Sequence, residues 1–136
     1  MRYGSVTSNR NRARASMQPA PTLVYKICTR AEWAAAEQAG VYAGSTDDAR
    51  DGFIHFSAAD QVRETAAKYF AGKRDLVLVA FEAARLGTAL RWEPSRGGAL
   101  FPHLYGRLEV GAAQSVRPLP LGPDDLPVLP EDIDRC

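Results

Sequence analysis

Asp75-Leu-Val-Leu-Val-Ala-Phe-Glu82 is the segment around which the rest of this 136-residue chain has to be arranged. Its central residues form a continuous apolar run that is too short for a free-standing helix and rich in residues that favour strands. Such a run predicts a central strand with both faces covered. It is also far shorter than the roughly 20 apolar residues that a helix needs to cross a bilayer, so no membrane association is expected.

A strand and a helix are predicted ahead of this segment. Residues 23–28 alternate with the two-residue period of a half-buried strand. Thr29 and Glu32 have the spacing of a capping box, in which each side chain accepts a hydrogen bond from the other residue's backbone amide. The alanine-rich stretch that follows is predicted to be a helix ending at Gly40.

The region from residue 44 to Gly72 combines a polar stretch with a second helical pattern. Residues 44–52 carry short polar side chains that bond to their own backbone, which predicts a loop. A short strand is predicted over residues 53–56, with Ser57 as the N-cap of the helix that follows. Apolar residues then recur at helical spacing until Gly72 ends the helix.

Further strands are predicted over residues 90–93, 104–110 and 113–119, with a glycine-rich loop over residues 94–99. The order of strand, helix, strand, helix and then several strands predicts an α+β domain. In it, two helices flank a mixed, mostly antiparallel sheet.

One folded domain is predicted over residues 22–120. Residues 1–21 are rich in Arg, Ser and Asn and are expected to be disordered, because they cannot bury enough apolar surface to fold. Their arginine-rich, acid-poor composition also resembles that of a transit peptide. A further alternative is that the start codon is misplaced ahead of Met17. Residues 121–136 contain several prolines and are predicted to form an extended tail.

The charge and cysteine content restrict the partners and the compartment. Four arginines lie near the N-terminus, and without them thirteen basic and sixteen acidic residues leave a net charge of about −3 on the body. Nucleic acid is therefore not an expected partner. Cys28 and Cys136 provide neither a metal-ligand spacing nor a disulfide framework, and this favours a cytoplasmic location.

His55 and His103 are the candidate catalytic residues, and each lies among apolar neighbours beside a turn residue. An imidazole titrates near neutrality, so a partly buried pair can share proton transfer or bind an anion. The alternative for each is a hydrogen-bonded core histidine. Two histidines without a third ligand do not predict a metal site.

Glu93, Arg96 and Ser57 are candidate ligand-binding residues. Arg96 offers a planar fork for phosphate or carboxylate, and Glu93 offers a base or a sugar-hydroxyl acceptor. An exposed ion pair is the alternative for these two residues, and helix capping is the alternative for Ser57. Neither a phosphate loop nor a dinucleotide-binding motif is present in the sequence.

Several separated segments resemble one bacterial family. They are Val24-Tyr-Lys-Ile-Cys-Thr29, Asp51-Gly-Phe-Ile-His-Phe-Ser57, Asp75-Leu-Val-Leu-Val79 and Phe101-Pro-His-Leu-Tyr-Gly106. Together they resemble the bacterial domain-of-unknown-function family 952, over about residues 23–118. That family resembles the ADP-ribosyltransferase fold, a split pair of mostly antiparallel sheets that hold NAD between them. The resemblance implies this fold for the present chain.

The resemblance also implies roles for individual residues. Lys26 stands where many relatives have a first-strand histidine that contacts the adenosine ribose. His55 and Ser57 fall in the motif that lines the nicotinamide pocket. His103 and Tyr105 belong to the signature of family 952. The catalytic glutamate of the transferases has no secure counterpart.

Two functions are therefore expected, with a structural alternative. The first is an enzyme, a transferase or hydrolase, that binds NAD, ADP-ribose or another phosphorylated nucleotide in a histidine-lined cleft and acts on its phosphate. The second is a non-catalytic module that binds a small anionic metabolite or a partner. In the third, the histidines only hold strands together. No cofactor is required, and NAD is a possible substrate.

Overall fold

The structure is a computed structural model that describes residues 22–134, without the side chains of Arg96 and Asp134. The disorder predicted for residues 1–21 falls outside the described residues, and so does Cys136, for which the sequence predicts neither a metal site nor a disulfide framework.

The apolar segment forms the inner strand of a four-stranded antiparallel sheet. Strand β5 (Leu76–Glu82) pairs along its length with β1 (Leu23–Thr29) on one side and with β9 (Ala113–Leu119) on the other. The short strand β4 (Ser57–Ala58) completes the order β4-β1-β5-β9. Both faces of β5 are buried, as the continuous apolar run predicts. Strand β1 is also buried on both faces, so the half-buried prediction is wrong.

Two smaller antiparallel sheets complete the fold. Strand β2 (Val41–Tyr42) pairs with β8 (Leu108–Glu109). In the other sheet, β7 (Leu100–Leu104) lies between β3 (Ile54–His55) and β6 (Leu90–Pro94). The α+β class is confirmed. Every strand pairing in the described part of the chain is antiparallel, so the mixed sheet is not found there.

Helix α1 (Arg30–Ala39) forms as the sequence predicts. Thr29 accepts from the amide of Glu32, whose carboxylate accepts from the amide of Thr29. The helix ends at Gly40, which adopts a left-handed conformation with φ +82°. Within residues 22–134, no helix is long and apolar enough to span a membrane.

The predicted loop over residues 44–52 is wrong, because it contains a second helix, α2 (Thr46–Asp51). Ser45 and Asp48 form a capping box that satisfies the first amides of this helix. The short polar side chains that favour a loop therefore cap a helix here.

Ser57 is not an N-cap, because it lies in strand β4. Helix α3 (Val62–Tyr69) begins later, and its N-cap residue Gln61 makes no side-chain capping bond. A fourth helix, α4 (Ala83–Leu86), follows β5 directly. The described chain therefore has four helices where the sequence predicts two.

The late part of the chain differs in two further places. The strand predicted over residues 104–110 is divided between β7 and β8, because the chain turns between them. The segment after residue 120 is not simply extended, since its Leu129 and Ile133 are buried and a 3-10 helix forms over Glu131–Asp134.

Alternate residues of β5 belong to different cores. Val77, Val79 and Phe81 pack in a cluster with Trp33 of α1 and with residues of the two smaller sheets. Leu76, Leu78 and Ala80 pack in a second cluster, on the opposite face, with α3 and the C-terminal segment. This alternation follows the two-residue period of a strand.

The packing predicts a large stability loss at Leu78 and a small one at Val116. Leu78 is 1% exposed, whereas Val116 in the adjacent strand is 42% exposed. Leu78→Ala should lower the free energy of unfolding by about 2 to 5 kcal/mol. Val116→Ala should change it by about 0.5 kcal/mol or less. Urea denaturation checks both values, and equal losses would contradict this core assignment.

Candidate functional site

A cleft of about 560 Å³ opens at the edge of the four-stranded sheet, beyond the end of β4. Strand β1 pairs with β4 only at Val24 and Tyr25. Lys26, Ile27 and Thr29 therefore line the cleft, together with residues from α2, α3 and the hairpin of β6 and β7. Clefts of this size are typical of small-molecule sites.

The two histidines meet in this cleft. His55 of β3 lies directly opposite His103 of β7, and opposed residues of an antiparallel pair point to the same face of the sheet. The centroids of their rings are 5.5 Å apart, and the rings meet edge to face. The structure therefore brings together the two residues that the sequence analysis proposes as catalytic.

Asp48 holds His55 in place from inside the protein. Its Oδ1 lies 2.6 Å from His55 Nδ1 and accepts from the His55 amide at 3.0 Å. Its Oδ2 accepts from Lys26 Nζ at 2.8 Å and from the Ser45 amide at 2.9 Å. The Lys26 ammonium also donates to the backbone carbonyl of His55 at 3.0 Å. Lys26 and Asp48 are only 6% and 3% exposed, so this is a buried ion pair.

The pKa of Asp48 is well below its ordinary value. Burial alone would raise it, but the hydrogen bond with His55, the charge and hydrogen bond of Lys26, and the Ser45 amide outweigh burial. Asp48 is therefore a fixed negative charge. The ammonium of Lys26 is hydrogen-bonded to Asp48 and to the His55 carbonyl, so it holds these two residues in place and does not offer a free charge to a ligand.

The second nitrogen of His55 also faces a carboxylate. His55 Nε2 lies 2.9 Å from Asp51 Oδ2, at the end of α2. A ring between two carboxylates completes both hydrogen bonds only when each nitrogen carries a proton. Asp51 is more exposed than Asp48, with 32% of its side chain exposed against 2%. One carboxylate is therefore buried behind the ring and the other lies at the mouth of the cleft.

Glu93 orients His103 as Asp48 orients His55, through a contact with Nδ1. Its Oε1 lies 2.8 Å from His103 Nδ1 and accepts from the Tyr105 hydroxyl at 2.8 Å. The hydrogen bond with His103, and then that with Tyr105, lowers the pKa of Glu93. The same bond to Glu93 raises the pKa of Tyr105. Within the described chain, His103 Nε2 has no hydrogen-bond partner, and the ring lines the cleft.

Aromatic rings surround the two imidazoles. Phe53 stacks on His103, with centroids 4.1 Å apart and planes at 26°. Phe53 also contacts His55 and Tyr105, at 4.7 Å and 5.1 Å between centroids. The guanidinium of Arg91 lies 4.8 Å from the centroid of Tyr105. These contacts fix the orientation of the two imidazole rings.

The other candidates lie in different environments. Ser57 is buried and its hydroxyl bonds to Thr65 Oγ1 at 2.9 Å, although it also lines the cleft. Arg96 begins a 3-10 helix next to Ser95, which lines the cleft, but its own side chain lies outside the described residues. The thiol of Cys28 is buried, and this burial raises its pKa to about 12.

The sequence analysis missed Asp48, Asp51 and Phe53. Asp48 had a local signal, because Ser45-x-x-Asp48 has the spacing of a capping box. Its contacts with Lys26 and His55 had no such signal, since they depend on how α2 packs on β1.

The fold and this site define the class to which the chain belongs. The profile of the family described as "Protein of unknown function (DUF952)" matches residues 27–116, so the chain is a member of that family. A search of curated proteins found no match.

The chain is similar to protein CC0527 from Caulobacter crescentus. The X-ray structure of that protein matches with 52% sequence identity and a TM-score of 0.80, over 82% of this chain and 98% of that one. Its solution NMR structure is 50% identical, with a TM-score of 0.72, over 84% of this chain and 96% of that one.

Gly44 provides a test of how tightly Asp48 is held. A Cβ at Gly44, which has φ +102°, would lie 2.9 Å from the Cβ of Asp48. Gly44→Ala should therefore destabilise the protein and shift the NMR signals of the His55 ring. Gly40→Ala is the matched control, because Gly40 also has positive φ but has nothing within 4 Å of its added Cβ. It should cost only the backbone strain of about 1 to 2 kcal/mol. Equal losses and unchanged His55 signals would contradict the assignment.

The buried pair predicts a pH-dependent stability loss in Asp48→Asn. At neutral pH the variant leaves the Lys26 charge buried without its partner, which should lower the free energy of unfolding by about 3 to 5 kcal/mol. Because folding lowers the pKa of Asp48, its contribution is present above the ordinary value of 3.8 and declines as the pH falls further.

The difference in the free energy of unfolding between wild type and Asp48→Asn should therefore narrow below about pH 4. Chemical denaturation at several pH values measures this gap. The control is Asp132→Asn, which removes an exposed pair with Arg117 and should change stability by about 1 kcal/mol or less. A gap that is constant down to pH 3 would contradict the assignment.

Proposed function

We propose that this protein is an enzyme that binds a phosphorylated nucleotide, such as NAD or ADP-ribose, and transfers or hydrolyses its phosphate-linked group. The observation that carries the proposal is the pairing of two imidazoles in one cleft, each with Nδ1 on its own carboxylate. A carboxylate on Nδ1 fixes the ring orientation and assigns proton transfer to Nε2, which in His55 lies against Asp51.

The two rings have complementary roles in this proposal. His103 Nε2 accepts a proton from water or from an acceptor hydroxyl as the oxygen of that group attacks phosphorus. His55 Nε2 donates its proton to the oxygen that leaves as the old phosphorus–oxygen bond breaks. One proton is taken up and one released, so each ring ends in the other's starting state. Such acid–base catalysis contributes about 10²- to 10⁴-fold to a rate.

Three features support a nucleotide as the substrate class. The cleft volume suits a small molecule. Its aromatic lining residues, among them Tyr69, Phe70 and Phe101, offer surfaces for a base or nicotinamide ring. The resemblance of the DUF952 family to the ADP-ribosyltransferase fold, which is itself part of this proposal, implies the same ligand class. Ser57 lines the cleft and Arg96 follows Ser95, which also lines it, so both are proposed to contact that ligand. Lys26 and Glu93 are proposed to act through His55 and His103 instead.

Glu93 favours chemistry at phosphate over chemistry at the ribose. A transferase of the usual kind needs a carboxylate to stabilise an oxocarbenium-like centre. Glu93 already accepts hydrogen bonds from His103 and Tyr105 through one oxygen. It therefore serves as a positioning residue for His103.

The same observation supports a second candidate, a non-catalytic module that binds a small anionic metabolite. If Glu93 serves only to hold His103, the cleft keeps its binding surface, and Glu93 is not available to stabilise an oxocarbenium-like centre. This candidate predicts ligand binding without product, and His103→Ala would then change affinity alone.

Calorimetry and turnover assays separate these functions. NAD, ADP-ribose and AMP should be tested for binding heat, and their products followed by phosphorus NMR. His55→Ala and His103→Ala should each lower kcat by about 100-fold or more, because each removes a proton-transfer group. Asp132→Asn removes an exposed carboxylate that pairs with Arg117, and this variant should keep full activity.

The outcomes have distinct meanings. Turnover that both histidine variants lose supports the enzyme. Binding without product supports the module. The absence of binding heat with every nucleotide, together with a lower melting temperature in His55→Ala, would overturn both and leave the histidines as structural residues.

A further inference from the structure

The carboxylate of Asp51 is held by donors that are well suited to an anionic ligand. Its Oδ1 accepts from Arg50 Nε at 3.0 Å, and its Oδ2 lies 3.4 Å from Arg50 Nη2 and 2.9 Å from His55 Nε2. One edge of a guanidinium and one imidazole therefore converge on the same group. This forked arrangement matches the geometry of a phosphate as well as that of a carboxylate.

The position of Asp51 makes it displaceable. It is the last residue of the six-residue helix α2 and lies at the mouth of the cleft. Arg50 is mostly exposed, and pairs between exposed charges contribute little to stability. Asp48 differs in this respect, because its carboxylate is buried and accepts four hydrogen bonds.

We propose that Arg50 and His55 form a phosphate subsite, and that Asp51 occupies it as an internal competitor until the ligand's phosphate displaces it. This proposal rests on the proposed function, since it assigns the phosphate end of that ligand. Arg50 is then a ligand-binding residue, additional to the candidates from sequence. Displacement of Asp51 also frees the Nε2 proton of His55, so the nitrogen proposed as the acid becomes available where the phosphate binds.

This arrangement has a consequence for selectivity. A ligand must replace a tethered negative charge, so only a group that carries negative charge and several acceptor oxygens gains by entering the subsite. A neutral ligand of the same shape would leave Arg50 and His55 with weaker partners. The subsite therefore favours phosphates over uncharged nucleosides.

Asp47 provides a matched control for Asp51. Both aspartates belong to α2 and both pair with Arg50, with Asp47 Oδ1 at 3.1 Å from Arg50 Nη1. Only Asp51 contacts His55. Asp47→Asn and Asp51→Asn therefore each remove one negative charge and one partner of Arg50 from the same helix, and only Asp51→Asn also removes the carboxylate that contacts His55.

The test is a titration of each full-length protein with inorganic phosphate, followed by the NMR signals of the His55 ring and the α2 backbone. Asp51→Asn should bind phosphate about fivefold more tightly than Asp47→Asn, because both variants free one side of Arg50 but only Asp51→Asn also removes the competing contact with His55. Asp51→Asn combined with Arg50→Gln should lose that gain. Melting temperatures of all variants establish that each is folded.

Three results would overturn the proposal. They are equal phosphate affinity in Asp47→Asn and Asp51→Asn, weaker affinity in Asp51→Asn, and no phosphate binding by any of the proteins. Because the titration involves no turnover, it is independent of the catalytic assays. Phosphate binding with this pattern but without nucleotide turnover would refute the enzyme and keep the subsite.

Discussion

The buried ion pair of Lys26 and Asp48 is the interaction on which the site depends. Lys26 is buried in β1, where an ammonium without a partner would cost roughly several kcal/mol. Asp48 supplies the partner from α2, a helix of six residues that is too short to be stable alone. The pair therefore fixes α2 against the sheet. The same carboxylate then binds both the amide and the ring of His55.

Hydrogen bonds and ring contacts connect this ion pair to the residues on the other side of the cleft. From Asp48 they pass to His55, whose ring meets that of His103, and from His103 they pass to Glu93. Phe53 packs against both imidazoles and covers one side. Connected polar networks in a low-dielectric setting are stronger than isolated pairs and hold their members in one geometry. A site of this kind is oriented before any ligand arrives, which is what acid–base catalysis requires of its two groups.

The sequence was most informative where local pattern decides the structure. The continuous apolar run of β5 and the capping box of α1 follow from single segments, and both were predicted. Helix α2 was missed because its polar side chains are equally compatible with a turn. Ser57 was assigned to a cap because nothing local distinguishes an N-cap serine from one in a short strand. The contact of Lys26 with Asp48 joins residues 22 positions apart, so it depends on packing that no local pattern encodes.

Long-range NMR correlation of ring protons with ring nitrogens tests the central claim most directly, because the chain contains only two histidines. If Asp48 and Glu93 orient the rings as described, Nδ1 carries a proton in both rings, and neutral His103 is the Nδ1-protonated tautomer. In Asp48→Asn the His55 pattern should change. Neutral His103 as the Nε2-protonated tautomer, or a His55 pattern that does not respond to Asp48→Asn, would contradict this account of the site.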